Sequence, residues 1–257
     1  MNQRKIAFQG VSCVFELQGA RFQAVQDVDL DIAEGEIVTL VGPSGCGKST
    51  LMNMVAGLME PTSGQVLVDG QTVAGPGPGR GVIFQQYALF PWLTVRENVE
   101  FGLVIARMPK PQRAAIVERC LKLVGLAAFA DALPKTLSGG MKQRCAIARA
   151  YAVDPQVLLM DEPFGALDAL TRVTMQDQLL ATWAQDKRTV MFITHDVEEA
   201  VYLGHRVVVM ATGPGRIREI IPVHLPHPRT EAMRLSAEFL QIRSQVWNSV
   251  YHQPARA

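Results

Sequence analysis

The chain has 257 residues, 48% of them hydrophobic, with 25 Lys and Arg against 24 Asp and Glu. That length and apolar content support one large α/β core, with or without a subdomain. The near-zero net charge withholds the basic excess of a nucleic-acid binder. Cys13, Cys46, Cys120 and Cys145 are scattered with no C-x-x-C pair, which argues against a zinc site or a disulfide framework and suits a reducing cytoplasm. The N-terminus lacks an apolar stretch of signal-peptide length, and no run of about 18 apolar residues is present to span a bilayer. A soluble, intracellular, globular protein is expected.

In chain order, the first continuous apolar run is "EIVTLV" (36–41), a pattern of strands covered on both faces. It leads into "GPSGCGKST", after which Leu51, Met54, Val55 and Leu58 line one face of a helix. Residues 71–80, "QTVAGPGPGR", read as a surface loop, and "GVIF" (81–84) as a second strand. Residues 87–150 carry helical patterns and no convincing strand, which predicts a helical subdomain inserted into the α/β core. In it, Ile116, Val117, Cys120, Leu121 and Val124 form a helix face that stops at Gly125. Ser138 caps a further helix, which ends before Pro155. "QVLLM" (156–160), "TVMFI" (189–193) and "RVVVM" (206–210) complete the strands, with a helix through Leu179, Leu180 and Trp183 between the first two. An amphipathic, helical tail follows from 231. Strands alternating with helices predict an α/β fold with a mostly parallel sheet.

Three motifs carry chemistry. "GPSGCGKST" fits G-x-x-x-x-G-K-[ST] at Gly42, Gly47, Lys48 and Ser49, between a strand and a helix. Its backbone N–H groups form an anion nest, aided by the positive end of the next helix. Lys48 then reaches the β and γ phosphates, and Ser49 ligates Mg²⁺. Cys46, inside the loop, is expected to be a target for alkylation. In "VLLMDEP" the strand delivers Asp161 as a Mg²⁺ ligand, and Glu162 as the group that polarises the attacking water. In "TLSGGMKQR" two glycines after a serine open a second anion-binding helix start. One nucleotide has one γ-phosphate, so two copies meeting head to tail would give both sites a use.

Together these residues resemble the ATP-binding subunits of ABC transporters. "GPSGCGKST", "VIFQ", "LSGGMKQR", "VLLMDEP", "GALD" and "ITHD" occur in that family's order over residues 6–225. More narrowly, "GVIFQQYALFPWLTVRENVEFGL", "DEPFGALDALTR" and "GPGRI" look like importers of nitrate, sulfonate, taurine and related small molecules. The resemblance implies a P-loop nucleoside triphosphatase core of the ABC ATPase type at 1–86 and 151–230, with an N-terminal antiparallel β region. It implies a helical signature subdomain at 87–150 and a helical tail at 231–257. ATP, with Mg²⁺, would be held by Gly42, Pro43, Ser44, Gly45, Cys46, Gly47, Lys48, Ser49 and Thr50. Phe15 would stack on adenine, Phe22 being its substitute, with a core role open for either. Gln85 would contact Mg²⁺ and the attacking water. Ser138, Gly139, Gly140 and Met141 would grip the γ-phosphate of the partner's ATP. Asp168 would sit at the dimer interface or cap the following helix. His195 would contact the γ-phosphate and act in catalysis with Glu162, Lys48 and Gln85.

The same resemblance implies a homodimer, or a dimer with a paralogous subunit, on two transmembrane permease subunits at the cytoplasmic face of the membrane. A solute-binding protein would act indirectly, and no nucleic acid is expected. A soluble or envelope-complex ATPase that drives a mechanical process is the alternative. Met141 departs from the family's common glutamine, and Gly165 from its common serine. The aromatic loop "YALFPWLTV" reads equally as a groove for a partner helix and as a small core.

Overall fold

The structure, a computed structural model, describes residues 3–17 and 19–251; residues 252–257 of the expected tail lie outside the described residues. The chain begins with β1 (Arg4–Leu17), β2 (Ala20–Ala33) and β3 (Ile37–Val41), then α1 (Lys48–Ala56). Next come β4 (Ser63–Val68), β5 (Gln71–Thr72), β6 (Arg80–Ile83), α2 (Val95–Ile105), α3 (Lys110–Leu123) and α4 (Gly139–Ala152). β7 (Val157–Asp161), α5 (Ala169–Asp186), β8 (Thr189–Ile193) and α6 (Val197–Leu203) follow. β9 (Arg206–Ala211), β10 (Arg216–Pro222) and α7 (Ala237–Tyr251) complete it. Two compact units result: residues up to Gly77 together with those from Leu180, and Pro78–Leu179.

The first unit holds two sheets. One is antiparallel, in the order β2-β1-β4-β5. Ile6, Phe8, Val11 and Cys13 of β1 are buried, with Val25, Val28, Leu30 and Ile32 of β2. Residue patterning had not revealed these long strands. Their pairing shifts register between Phe8 and Val11 and again around Cys13, so the period-2 alternation is broken by bulges. The antiparallel region implied by the resemblance is present. In the other sheet β3 lies between β8 and β9, parallel to both, and β10 pairs antiparallel with β9. All five residues of β3 are buried. The buried Thr39 hydroxyl donates to the Ala200 carbonyl at 3.1 Å. β10 was missed because its residues alternate in exposure and include two arginines and a glutamate.

Two local expectations need correction. Leu58 is not on the helix face with Leu51, Met54 and Val55: α1 ends at Ala56, Gly57 turns at φ 77°, and Leu58 is half exposed. A Cβ on Gly57 would overlap the backbone of Gly75, so only glycine ends the helix there. The loop 71–80 begins with β5, which pairs with β4 at Leu67↔Thr72 and Val68↔Gln71.

In the second unit β6 and β7 pair in parallel, Ile83 opposite Met160. The helices α2, α3 and α4 accompany them, with the first part of α5. Thr94 and Glu97 form a capping box at the start of α2, a signal that locates the helix not named from its apolar pattern. Gly125 stops α3 at φ 66°, and Ser138 caps α4, as expected.

At the amino end of β3, Trp183, His205 and His227 form one cluster, with ring centroids 4.5 to 4.9 Å apart. The Ile37 amide donates to His205 Nδ1 at 3.1 Å. Neither ring nitrogen of His227 has a hydrogen-bond partner among the described residues. Burial pushes the His227 imidazole down from 6.5 to about 4, helped by the charges of Arg229, His205 and Lys187. Burial and Arg229 also lower His205. Depressed values mean that the unfolded chain binds protons first as the pH falls, so these groups cost nothing above pH 6.5 and weaken the fold progressively towards pH 4. Thermal melts should show the midpoint dropping over that window, and His227→Gln should flatten the drop.

Candidate functional site

β3 is buried along its length, and its carboxyl end launches a turn through Gly42, Pro43, Ser44, Gly45, Cys46 and Gly47 into α1. Lys48 Nζ donates to the carbonyl oxygens of Gly42 at 2.8 Å and Pro43 at 3.1 Å, which closes the turn into a ring. The first amides of α1, those of Lys48, Ser49 and Thr50, have no intrahelical acceptor, as at any helix start. Together with the helix dipole they draw an anion to this point. Ser49 is exposed and Thr50 half-buried. Close packing explains two glycines: a Cβ on Gly42 would lie 2.6 Å from the Met210 carbonyl oxygen, and one on Gly47 2.6 Å from Val25 Cγ2. Gly47 also has φ 90°.

Cys46 corrects an expectation. Its side chain is fully buried, with Sγ 3.6 Å from Lys48 Nζ, so the thiol lies under the loop and is shielded from an alkylating reagent. The remaining cysteines are buried too, and burial pushes the Cys145 thiol up to about 12.

His195 reaches the same edge by register. Leu40 of β3 is opposite Ile193 of β8, so Gly42 and His195 each lie two residues past a paired position. The Thr194 amide donates to the Leu40 carbonyl at 3.1 Å, and the Asp196 amide to Thr194 Oγ1 at 3.0 Å. These bonds fix the backbone on both sides of the exposed His195. Asp196 then caps α6 through the amides of Glu198 and Glu199. Phe15 and Phe22 are direct partners across the β1–β2 hairpin, Phe15 half-buried and Phe22 53% exposed.

In the second unit, Gln85 and Glu162 likewise lie two residues beyond the paired Ile83 and Met160. Gln85 Nε2 donates to Glu162 Oε2 at 3.4 Å. Glu162 takes a left-handed backbone with φ 46°, unusual for a residue with a side chain. Asp161 ends β7 with its side chain nearly buried. Ser138 Oγ accepts from the Met141 amide at 3.3 Å and so caps α4, leaving Gly139 and Gly140 as its first turn. Gly140 packs against the segment before Asp168, since a Cβ on it would lie 3.3 Å from Leu167 Cδ2. Asp168 Oδ1 accepts from the Thr171 amide at 3.0 Å, and this bond holds its carboxyl below the usual range. It therefore acts as the cap of α5. Gly165 lies beside Glu162, its amide donating to the Glu162 carbonyl at 3.2 Å.

Gly215 escaped sequence reasoning, and Tyr87 was expected only as part of the aromatic loop. Tyr87 places its hydroxyl where a Cβ on Gly139 would come within 2.9 Å. Gly215 backs the turn after β3: it bonds Ala24 and Gln26 of β2, and a Cβ on it would overlap the Cys46 carbonyl. "GPGRI" was the only signal for it, and it was read as a family mark.

A family model described as ABC transporter matches residues 25–165. A putative ATP-binding protein of Brucella abortus is 67% identical over 97% of this chain and 94% of its own length. The taurine import ATP-binding protein TauB of Roseobacter denitrificans is 50% identical over 83% of this chain and 80% of its own. The bicarbonate transport ATP-binding protein CmpC of Synechococcus elongatus is 50% identical over 87% of this chain, a match to 34% of its own length. Among solved structures, a dimeric ATP-binding cassette in a post-hydrolysis state bound to ADP and Pi gives a TM-score of 0.80 at 33% identity, covering 86% of this chain and 100% of that one.

Because a Cβ on Gly215 would push the turn after β3, Gly215→Ala should weaken ATP binding by on the order of tenfold and stability by about 2 kcal/mol. Nucleotide titration and thermal melts check this, and wild-type affinity would show that the turn needs no backing.

Proposed function

Because the chain belongs to the ABC transporter family of ATPases, we propose that it energises import of a small solute through a membrane permease. Two cassettes, identical or paralogous, close on ATP and open after hydrolysis. The observation that carries this reading is the ring closed by Lys48, with His195 set in register beside it on the next strand. A cationic turn with a titratable group at its edge suits a polyphosphate and the water that attacks it.

The roles follow from chemistry. Gly42, Pro43, Ser44, Gly45, Cys46, Gly47, Lys48, Ser49 and Thr50 cradle the phosphates, with Lys48 exchanging its loop carbonyls for phosphate oxygens. Phe15, or Phe22 opposite it, stacks on adenine. Ser138, Gly139, Gly140 and Met141 of the second cassette present a helix start to the γ-phosphate, and Asp168 borders that interface. Glu162 accepts a proton from the attacking water, and Gln85 and His195 orient it. Losing the γ-phosphate removes the anion that both helix starts bind, so the closed state loses its advantage.

Ser49, Gln85 and Asp161 offer only hard oxygen donors, and no group of three or more His, Cys, Asp or Glu side chains suited to a metal occurs among the described residues. That donor set fits Mg²⁺, which takes few protein ligands and completes its shell with phosphate and water. When bound, Mg²⁺ supplies positive charge to the phosphate oxygens.

Residues 87–150 would serve as the signature subdomain and 231–257 as a tail on the core. No helix among the described residues is long and apolar enough to cross a membrane, which suits a peripheral subunit on the cytoplasmic face, with a solute-binding protein acting through the permease. Trp92 is 72% exposed in the aromatic loop, and Phe90 packs on Phe101 of α2 at 4.3 Å. One side of the loop thus packs on α2, and the other is open to a permease helix. The solute is of the class that the relatives' names indicate, a small anion or zwitterion such as taurine or bicarbonate.

Glu162→Gln should cut ATP turnover on the order of 100-fold or more while trapping an ATP-bound dimer in gel filtration. A monomer at saturating ATP and Mg²⁺, even beside its permease, would overturn the reading. Trp92→Ala should lower solute uptake about tenfold and leave ATP affinity unchanged; normal uptake would remove the loop from the docking surface.

A further inference from the structure

Arg149 lies on α4, ten residues beyond Gly139 and about 15 Å along the axis from the turn at Ser138. Its Nη1 donates to the Ala88 carbonyl at 2.7 Å and its Nη2 to the Tyr87 carbonyl at 3.4 Å. The guanidinium carbon lies 5.7 Å from the centre of the Phe90 ring, over its face. Burial holds the group below the ordinary arginine value, the mark of a cation withdrawn from water. At the other end of the same helix the Tyr87 hydroxyl lies against Gly139. Residues 87–90 are therefore attached to α4 near both its ends.

The backbone of this loop is not relaxed. Ala88 has φ 47°, a left-handed conformation that a residue with a Cβ keeps only where its surroundings insist on it. The carbonyl of that residue is the one Arg149 grips most closely. On the far side, the buried Asn98 of α2 accepts from the Phe90 amide at 2.9 Å and donates to the carbonyls of Phe90 and Leu93 at 3.1 and 3.0 Å. A lysine would supply one point charge here, whereas the arginine fork reaches two carbonyls and stacks on a ring at once.

We infer that Arg149 is a positioning residue that binds the aromatic loop to the signature helix, so that residues 87–90 and the turn at Ser138 move as one rigid piece. The inference rests on the reading above, in which that turn grips the partner's ATP and the loop faces a permease. It adds the part that carries force between them: one guanidinium inside a single compact unit, with no flexible linker. Closure on the γ-phosphate then displaces the loop with the helix, and a displaced loop withdraws the turn from the phosphate.

The test uses the full chain carrying Glu162→Gln, alone and with Arg149→Met or Arg149→Lys. In hydrogen exchange without nucleotide, Arg149→Met should speed the amides of residues 87–93 about tenfold and leave the rest of α4 at its parent rate. ATP affinity should stay within about twofold, while the ATP concentration needed for dimerisation rises about tenfold, since binding is kept and its linkage to closure is lost. Arg149→Lys should fall between the two. Unchanged exchange in 87–93, exchange raised equally along the whole helix, or complete rescue by lysine would each overturn the inference. Should Arg149→Met not fold, Phe90→Leu, which removes the ring under the guanidinium, is expected to give the same localised exchange, and parent-like rates in it would count against the proposal. If the parent itself does not dimerise with ATP, the proposed function fails, while the exchange result still judges Arg149.

Discussion

The arrangement of the first unit depends on the backbone register of β3 between β8 and β9. Leu40 faces Ile193 on one side and Val208 on the other, and all three are fully buried. Parallel strands covered on both faces cannot slide without exposing that surface or stranding ladder hydrogen bonds. The height at which each strand ends is therefore fixed. The phosphate turn leaves β3 at that height and His195 leaves β8 there, so two groups 153 positions apart in sequence arrive at one edge through backbone register. The second unit repeats the device in β6 and β7 with Gln85 and Glu162.

What surrounds these edges is packed too tightly for ordinary side chains. Gly42, Gly47 and Gly215 all lie where a Cβ would strike Met210, Val25 or the Cys46 backbone. The turn is thus held from beneath by β2, β9 and the segment before β10, and it can keep its amides pointed at an anion before any anion arrives. Such preorganisation favours electrostatic catalysis because little of the site must rearrange at the moment of reaction.

Legibility in the sequence followed the range of the forces involved. The strands β3, β7, β8 and β9 were plain, because burial on both faces demands continuous apolar runs. β1 and β2 were hidden by bulges, and β10 by its solvent-facing side. The phosphate turn could be read because glycine, lysine and serine at that spacing answer local demands. Ser138 was legible as a cap and proved to be one. Cys46 was not legible because a glycine-rich loop reads as open surface, whereas the fold buries this side chain, with Sγ 3.6 Å from Lys48 Nζ. Tyr87, Gly215 and Arg149 work through tertiary contacts with residues 52, 169 and 61 positions away, a distance at which no local pattern forms. The aromatic loop reads in sequence both as a groove and as a small core; in the structure Phe90 is half-buried against Phe101 while Trp92 is exposed.

The burial of all four cysteines has a practical consequence. The native thiols are shielded in the folded chain, so a thiol engineered at an exposed position such as Leu170, which is 79% accessible, would be the readily labelled site for a spin label or fluorophore. On the proposed pairing of two cassettes, distances between two such probes would follow closure and opening without first stripping the protein of its own cysteines.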